Sequence, residues 1–146
     1  VVTFFFCTFF DDFITFLFLD NLVSESEDIS GELWIGRNLE SCIDDVDTLL
    51  QRNGMTGDDI DLYLLHQANM RIIECIREHL AQPKEKFPTN IQKYGNTSSA
   101  SVGILIDELS RAGELKEGQT VMLSTFGGGF VTAAAILEWS DINYAK

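Results

Sequence analysis

The feature that most constrains this chain is an apolar run at 60–65 that is followed at once by a histidine and two carboxamides. A short apolar run of this kind, which Asp61 alone interrupts, is typical of a buried strand, and apolar residues then recur at helical spacing over 72–80. The polar segment His66-Gln67-Ala68-Asn69 is therefore predicted to lie between the end of a strand and the start of a helix. In open α/β sheets, ligands bind at the carboxyl ends of strands. This segment is the first candidate for a functional site.

The remaining elements complete an α/β pattern. An amphipathic helix is predicted over 39–53, with Asn38 as its N-cap. A second helix is predicted over 98–112, and it is expected to be the most buried helix because apolar residues cover most of its circumference. Strands are predicted over 119–125 and 130–139, on either side of three consecutive glycines. The expected fold class is α/β, with a mixed, mostly parallel sheet and helices on both faces.

Length and charge restrict the class of protein further. The 146 residues suit one domain with a sizeable core. The net charge of −13 argues against a general nucleic-acid binder, because phosphate binding needs clustered basic residues. Residues 1–20 are rich in Phe, but Asp11 and Asp12 interrupt them and they lack a basic n-region. Two short strands are therefore predicted there, rather than a membrane span or a secretory signal.

The three cysteines, Cys7, Cys42 and Cys75, are odd in number and widely spaced. None of the spacings is typical of a zinc site, so no metal site is expected. The pattern indicates a reduced, cytoplasmic protein. Cys75 is predicted to pack in the core, because it adjoins the apolar face of its helix.

Five basic residues are concentrated in one short segment of this acidic chain. They are Arg71, Arg77, Lys84, Lys86 and Lys93. Two interpretations are open: a solvated helix face, or a local positive patch beside the histidine at 66.

Three polar loops are predicted to follow buried elements, at 66–69, 95–97 and 127–129. His66 and Asn96 can both donate hydrogen bonds to a carbonyl oxygen that becomes negative in a transition state, and a glycine N–H can serve a second oxyanion. This chemistry suits enolate formation and acyl transfer. The simpler alternatives are a core histidine satisfied by the backbone, an asparagine that caps a helix, and a tight glycine turn.

These loops carry a resemblance to a known family. The motifs His-Gln-Ala-Asn-x-Arg-Ile at 66–72, Tyr-Gly-Asn-Thr-Ser-Ser-Ala-Ser at 94–101 and Ser-Thr-Phe-Gly-Gly-Gly-Phe at 124–130 resemble β-ketoacyl-[acyl-carrier-protein] synthase III of the thiolase superfamily. Their order and spacing also fit that family. The resemblance runs from about residue 38 to residue 139 and implies the C-terminal half of a thiolase-like fold.

The resemblance implies a condensing enzyme of fatty-acid-type synthesis, which joins an acyl group from acyl-CoA to malonyl-ACP with decarboxylation. His66 and Asn96 match the family's catalytic residues that bind the malonyl thioester oxygen. Gly128 matches the glycine whose N–H helps to form the oxyanion hole. The synthase domain would occupy 38–146, after an N-terminal segment at 1–37 with apolar strands and an acidic loop.

The resemblance also implies a binding segment and a set of partners. Ala68 and Asn69 match positions that bind the substrate or CoA. The acyl carrier protein is implied to dock on Gln67, Ala68, Asn69, Met70 and Arg71, and a positive charge on Arg71 suits an acidic carrier. No cofactor is implied beyond the two substrates, and no nucleic-acid or membrane partner. The N-terminal half of the enzyme is a further partner, and the complete enzyme is expected to be a cytoplasmic homodimer.

The family's nucleophilic cysteine belongs to the N-terminal half, at the start of a buried helix. None of the three cysteines here has that setting, so this chain by itself is expected to catalyse no condensation. Two alternatives stay open: a non-catalytic acyl-carrier or CoA-binding fragment, and a related thiolase-superfamily synthase of polyketide or quinolone type.

Overall fold

The computed structural model describes residues 31–127 and 131–140. Its helices and strands are α1 (Gly31–Asn53), β1 (Leu62–Leu65), α2 (Met70–His79), α3 (Ile91–Tyr94), α4 (Ser101–Ala112), β2 (Thr120–Gly127) and β3 (Val131–Glu138). Short 3-10 turns occur at Gly57–Asp59, Lys84–Lys86 and Ser98–Ala100. The strands predicted within 1–20 lie outside the described residues. None of the described helices has the length and apolar character needed to cross a membrane.

The three described strands form one mixed sheet in the order β1-β2-β3. β1 pairs with β2 in parallel, with Leu62 opposite Val121 and Leu65 opposite Ser124. β2 pairs with β3 in the antiparallel sense along the whole of both strands. The α/β class and the mixed sheet are confirmed. Within the described residues, the sheet contains one parallel and one antiparallel pair of strands, so parallel pairing does not predominate there.

Alternation along the strands places a hydrophobic core on each face of the sheet. Tyr63, Leu65 and Met122 pack with buried residues of α1 and α2 on one face. Leu64 and Val121 pack with buried leucines of α4 on the other face. Each fully buried side chain of this size contributes about 1.5–3 kcal/mol relative to an exposed one. The helices therefore lie on both faces, as predicted.

Two predictions about individual helix residues are wrong. Asn38 is not an N-cap, because α1 begins at Gly31 and Asn38 lies inside the helix with 1% of its surface exposed. The domain boundary predicted at residue 38 thus falls within a continuous helix. Cys75 is exposed rather than packed in the core, because the buried stripe of α2 consists of Ile72, Ile73 and Ile76. The apolar neighbours of Cys75 along the chain face a different side of the helix.

The burial predicted for the helix over 98–112 is also wrong. Residues 98–100 form a 3-10 turn in which Ser98 has a positive φ of 55°, so α4 begins only at Ser101. Its buried residues are Ser101, Leu105 and Leu109, which face the sheet. Val102 and Ile106 are only partly buried. Within the described residues, α4 is therefore buried along a single stripe, although its apolar residues extend further around the helix.

Candidate active site

His66 lies directly after β1 and continues the parallel ladder. Its backbone N–H donates to the carbonyl oxygen of Ser124 at 2.8 Å. Its side chain is 8% exposed and packs edge-on against the ring of Phe126, with centroids 4.9 Å apart and planes at 71°. Burial lowers the pKa of His66 below its usual value, because the charged ring loses hydration. The ring is therefore neutral at neutral pH.

The imidazole of His66 contacts the first residue of α4. Its Nδ1 atom lies 2.5 Å from Oγ of Ser101, which is 1% exposed. The backbone N–H of Gln67 donates to the same oxygen at 3.3 Å. Since Ser101 follows Asn96 by five residues, this contact joins the segment after β1 to the loop that carries Asn96.

Gln67 has a structural position that the sequence did not indicate. Its side chain is 1% exposed; Nε2 donates to the carbonyl oxygen of Leu65 at 2.8 Å, and Oε1 accepts from the N–H of Asn90 at 3.1 Å. A buried amide with both ends bonded is not accessible to a protein partner at the surface.

The rest of the predicted binding segment forms the start of α2. Asn69 is the N-cap of α2, and its Oδ1 accepts the N–H of Arg71 at 2.9 Å. Ala68 and Met70 are half-buried and pack against the core. Arg71 is exposed, and the described residues offer it no ion pair. Arg71 is thus the member of the segment that is best placed to meet a partner.

Asn96 is exposed, and its side chain bonds within its own loop. Its Oδ1 accepts the N–H of Ser98 at 2.8 Å, which forms a local Asx turn before the 3-10 turn rather than a cap of α4. Because the carbonyl oxygen is used in this way, the amide nitrogen is left to donate. Gly95 precedes it with a φ of 66°, a conformation that suits glycine.

Glu108 of α4 holds the segment that leads to Asn96. Its carboxylate accepts hydrogen bonds from Nδ2 of Asn90, Nζ of Lys93 and the hydroxyl of Tyr94, each at 2.7 Å. The bonds from Lys93, Tyr94 and Asn90 lower the pKa of Glu108 to about 2. This cluster was missed in the sequence, where Glu108 is one acidic residue among many.

The basic segment is largely engaged within the chain. Arg77 pairs with Glu74 at 2.7 Å, and Lys93 pairs with Glu108. Nζ of Lys86 donates to the carbonyl oxygens of Gly57 and Asp58. Lys84, like Arg71, is exposed and has no ion pair within the described residues. The solvated-face interpretation fits most of these residues, and within the described residues Arg71 and Lys84 lie at opposite ends of α2 without an ion pair.

The two cysteines that the structure describes lack the setting of a nucleophile. Cys42 is buried in α1, and burial raises the pKa of its thiol to about 11. Cys75 is exposed on α2. Cys7 and Gly128 lie outside the described residues.

The mixed α/β sheet, with helices on both faces and a buried histidine at a strand end, has the architecture of a thiolase-like fold. The chain belongs to the 3-oxoacyl-[acyl-carrier-protein (ACP)] synthase III family, whose C-terminal model matches residues 50–139.

Individual relatives agree with this family. Beta-ketoacyl-[acyl-carrier-protein] synthase III of Campylobacter curvus is 45% identical over 96 residues, which are 66% of this chain and 29% of the relative. The synthase of Staphylococcus aureus strain JH1 is 43% identical over 91 residues, 62% of this chain and 29% of the relative. The crystal structure of synthase III from Thermus thermophilus has a TM-score of 0.72 and 37% identity, covering 77% of this chain and 35% of that one. The match thus spans about a third of the length of these proteins.

Proposed function

We propose that this chain is the C-terminal part of a condensing enzyme that joins an acyl group from acyl-CoA to malonyl-ACP with loss of carbon dioxide. The observation that carries the proposal is the buried, neutral His66 at the carboxyl end of β1, joined through Ser101 to the loop of Asn96. The family relationship supports the same reaction class.

The proposed chemistry assigns the two donors to one oxygen. When the malonyl carboxylate leaves as carbon dioxide, the electron pair of the broken C–C bond moves into the thioester and forms an enolate. His66 and the amide nitrogen of Asn96 donate to the enolate oxygen. The enolate carbon then attacks the acyl-cysteine thioester, the cysteine thiolate leaves, and the N–H of Gly128 serves the oxyanion of that step. The reaction needs no cofactor besides its substrates.

The nucleophilic cysteine in this proposal comes from the N-terminal half of the enzyme. Cys42 is buried and protonated at neutral pH, and Cys75 lies on the exposed side of α2. A thiolate needs an electropositive, accessible setting such as a helix N-terminus. The chain by itself is therefore proposed to be inactive in condensation.

The proposal includes the partners and the organisation of the chain. Ala68 and Asn69 lie near the pantetheine arm, and the exposed charge of Arg71 attracts the acidic carrier protein. Burial limits Gln67 to supporting this segment, and Met70 anchors it in the core. We assign the synthase domain to 38–146 and the N-terminal segment to 1–37, a boundary that α1 crosses. The complete enzyme is proposed to be a homodimer in the cytoplasm.

A chimaera tests the proposed function. Residues 50–139 replace the matching segment of the Campylobacter curvus relative, and malonyl-ACP decarboxylation and condensation with acyl-CoA are measured. The chimaera is expected to condense. His66→Ala and Asn96→Ala should each lower decarboxylation roughly 10²–10³-fold, the usual effect of losing one oxyanion donor. His79→Ala is the matched control, because His79 is an exposed histidine that pairs with Asp47.

Acylation of the cysteine by acyl-CoA should stay near the parent rate in these variants. A folded chimaera that binds carrier protein but does not decarboxylate would indicate a binding fragment without catalysis. Decarboxylation at the parent rate in both variants would reject the assignment of the two donors.

A further inference from the structure

The hydroxyl of Ser101 lies between a fixed donor and a ring nitrogen. Ser101 is buried at the start of α4, and the structure gives its Oγ two hydrogen-bond contacts. One is the backbone N–H of Gln67 at 3.3 Å, and the other is Nδ1 of His66 at 2.5 Å. A backbone N–H can only donate, so Oγ is the acceptor in the first contact.

The proton of the hydroxyl must then find an acceptor. A buried hydroxyl that does not donate pays the cost of desolvation without compensation. Among the described contacts of Oγ, Nδ1 is the one group able to accept. Nδ1 can accept only when it carries no proton, which places the proton of a neutral ring on Nε2.

We propose that Ser101 is a positioning residue, which donates its hydroxyl proton to Nδ1 of His66 and thereby keeps the ring proton on Nε2. The neutral state that this arrangement needs agrees with the burial of the ring and its contact with Phe126. Nε2 has no hydrogen-bond partner within residues 31–127 and 131–140, so its N–H remains to donate elsewhere.

The consequence for the reaction rests on the proposed function. A ring protonated on Nε2 presents an N–H to the thioester oxygen and stabilises the enolate. The other neutral tautomer would present a lone pair to the same oxygen and oppose the charge that develops there. Ser101 would thus decide the sign of the interaction between His66 and the substrate, although it does not touch the substrate.

The tautomer can be measured directly on the 146-residue chain labelled with [¹⁵N]histidine. The chain holds two histidines, His66 and His79, and a His79→Gln variant assigns their ring signals. At about pH 8, above the usual histidine pKa of about 6.5, long-range ¹H–¹⁵N spectra distinguish the protonated from the unprotonated ring nitrogen. We expect Nε2 of His66 to be protonated, and the Ser101 hydroxyl proton to show coupling to Nδ1 across the hydrogen bond.

Three variants separate this role from simple packing. Ser101→Ala should shift the Nδ1 signal towards that of a free acceptor and allow the Nδ1-protonated form to appear. Ser101→Thr keeps the hydroxyl and should keep the parent pattern. Ser99→Ala removes an exposed serine two residues before Ser101 and should also keep the parent pattern. His79 signals and the amide spectrum report whether each variant is folded.

A parent ring protonated on Nδ1 overturns the proposal, as does a folded Ser101→Ala variant with both ring nitrogens unchanged. If Ser101→Ala does not fold, the proposal is tested by the tautomer of His66 in the parent chain and by the coupling between the Ser101 hydroxyl proton and Nδ1. Neither measurement uses substrate, so a chimaera without activity would leave the tautomer result standing. In an active chimaera, Ser101→Ala should lower kcat for decarboxylation roughly tenfold, since one hydrogen bond is removed, with KM for malonyl-ACP nearly unchanged.

Discussion

The side-chain oxygen of Gln67 accepts a hydrogen bond from the backbone N–H of Asn90 at 3.1 Å. The amide nitrogen of the same side chain donates to Leu65 at 2.8 Å. One buried glutamine therefore connects the end of β1 to the segment that leads to Asn96. The two loops of the candidate site are joined by the interior of the protein rather than by contact at the surface.

Replacing Gln67 with alanine should destabilise the chain. The N–H of Asn90 and the carbonyl oxygen of Leu65 would lose their partners inside the protein, at a cost of about 1–3 kcal/mol for each unsatisfied group. We expect the free energy of unfolding, measured in urea, to fall by roughly 2–6 kcal/mol. Gln92→Ala is the matched control, because Gln92 is exposed and its side chain donates to the nearby carbonyl oxygen of Thr89, and it should change this free energy by less than about 0.5 kcal/mol.

The same variant tests the docking interpretation of Gln67. A stable Gln67→Ala chain whose chimaera has a raised KM for the carrier protein would support direct docking and contradict the structural role.

Protonation of His66 should weaken the fold. Burial lowers its pKa in the folded state, whereas the unfolded chain binds this proton near the usual pKa of about 6.5. The contribution of neutral His66 to stability is therefore complete above about pH 6.5 and declines as the pH falls towards the lower, folded pKa. The free energy of unfolding, measured in urea, should therefore decline as the pH is lowered below about 6.5. In His66→Gln this pH-dependent decline should be smaller.

His79→Gln serves as the comparison in this series, because His79 is exposed on α2. A pH profile that His79→Gln flattens and His66→Gln leaves unchanged would contradict the prediction.

Glu108 should control the order of the Asn96 loop. In Glu108→Gln, Lys93 and Tyr94 lose a charged acceptor, so backbone amides over 92–96 should exchange with solvent faster than in the parent. The pKa of about 2 means that the contribution of Glu108 is present above its usual pKa and is lost only as the pH falls towards 2. Hydrogen exchange followed by NMR measures both effects.

Asp107→Asn is the control for Glu108→Gln. Asp107 is the preceding residue of α4, it is exposed, and it pairs with Arg111 at 2.8 Å. Equal exchange rates over 92–96 in the two variants would show that Glu108 does not order the loop.

Arg71→Glu should weaken use of the carrier protein without affecting the chemistry. Exposed charge pairs contribute about 0.2–1 kcal/mol, so reversing the charge should raise KM for malonyl-ACP roughly two- to tenfold at low salt. The difference should shrink as salt is added, because screening weakens exposed charges. Arg52→Glu, which alters an exposed arginine at the end of α1, is the control. An identical response of the two variants would reject the docking role of Arg71.

The sequence predicted α2, α4, the larger part of α1, the three described strands and the position of the histidine, because each of these depends on local periodicity; it did not predict α3. Gly113 follows α4 with a φ of 70°, the left-handed conformation in which a glycine commonly ends a helix. The sequence could not predict that α1 continues upstream of Asn38, since a good N-cap residue is also compatible with a helix interior. The orientation of Cys75 depends on which stripe of α2 packs against α1. The apolar periodicity of so short a helix does not determine that stripe.

The contacts that build the site were beyond prediction for a related reason. Ser101 stands 35 residues from His66 along the chain, and Glu108 stands 18 residues from Asn90. A serine and a glutamate have many uses, so neither residue type indicates its partner. Only the packing of α4 on the sheet brings these groups to the histidine and to the Asn96 loop.

The parallel pairing of β1 with β2 has a consequence for the order of folding. Its first contacts join Asp61 to Thr120, 59 residues further along the chain, through bonds in both directions at 2.8 Å. Closing so long a loop carries a larger entropic cost than forming the β2–β3 hairpin, whose strands are neighbours in sequence. We expect pulse-labelled hydrogen exchange to show amides of β3 protected before the N–H of His66, which bonds to Ser124. The chain would then complete its framework first and acquire the surroundings of its histidine in the last step of folding.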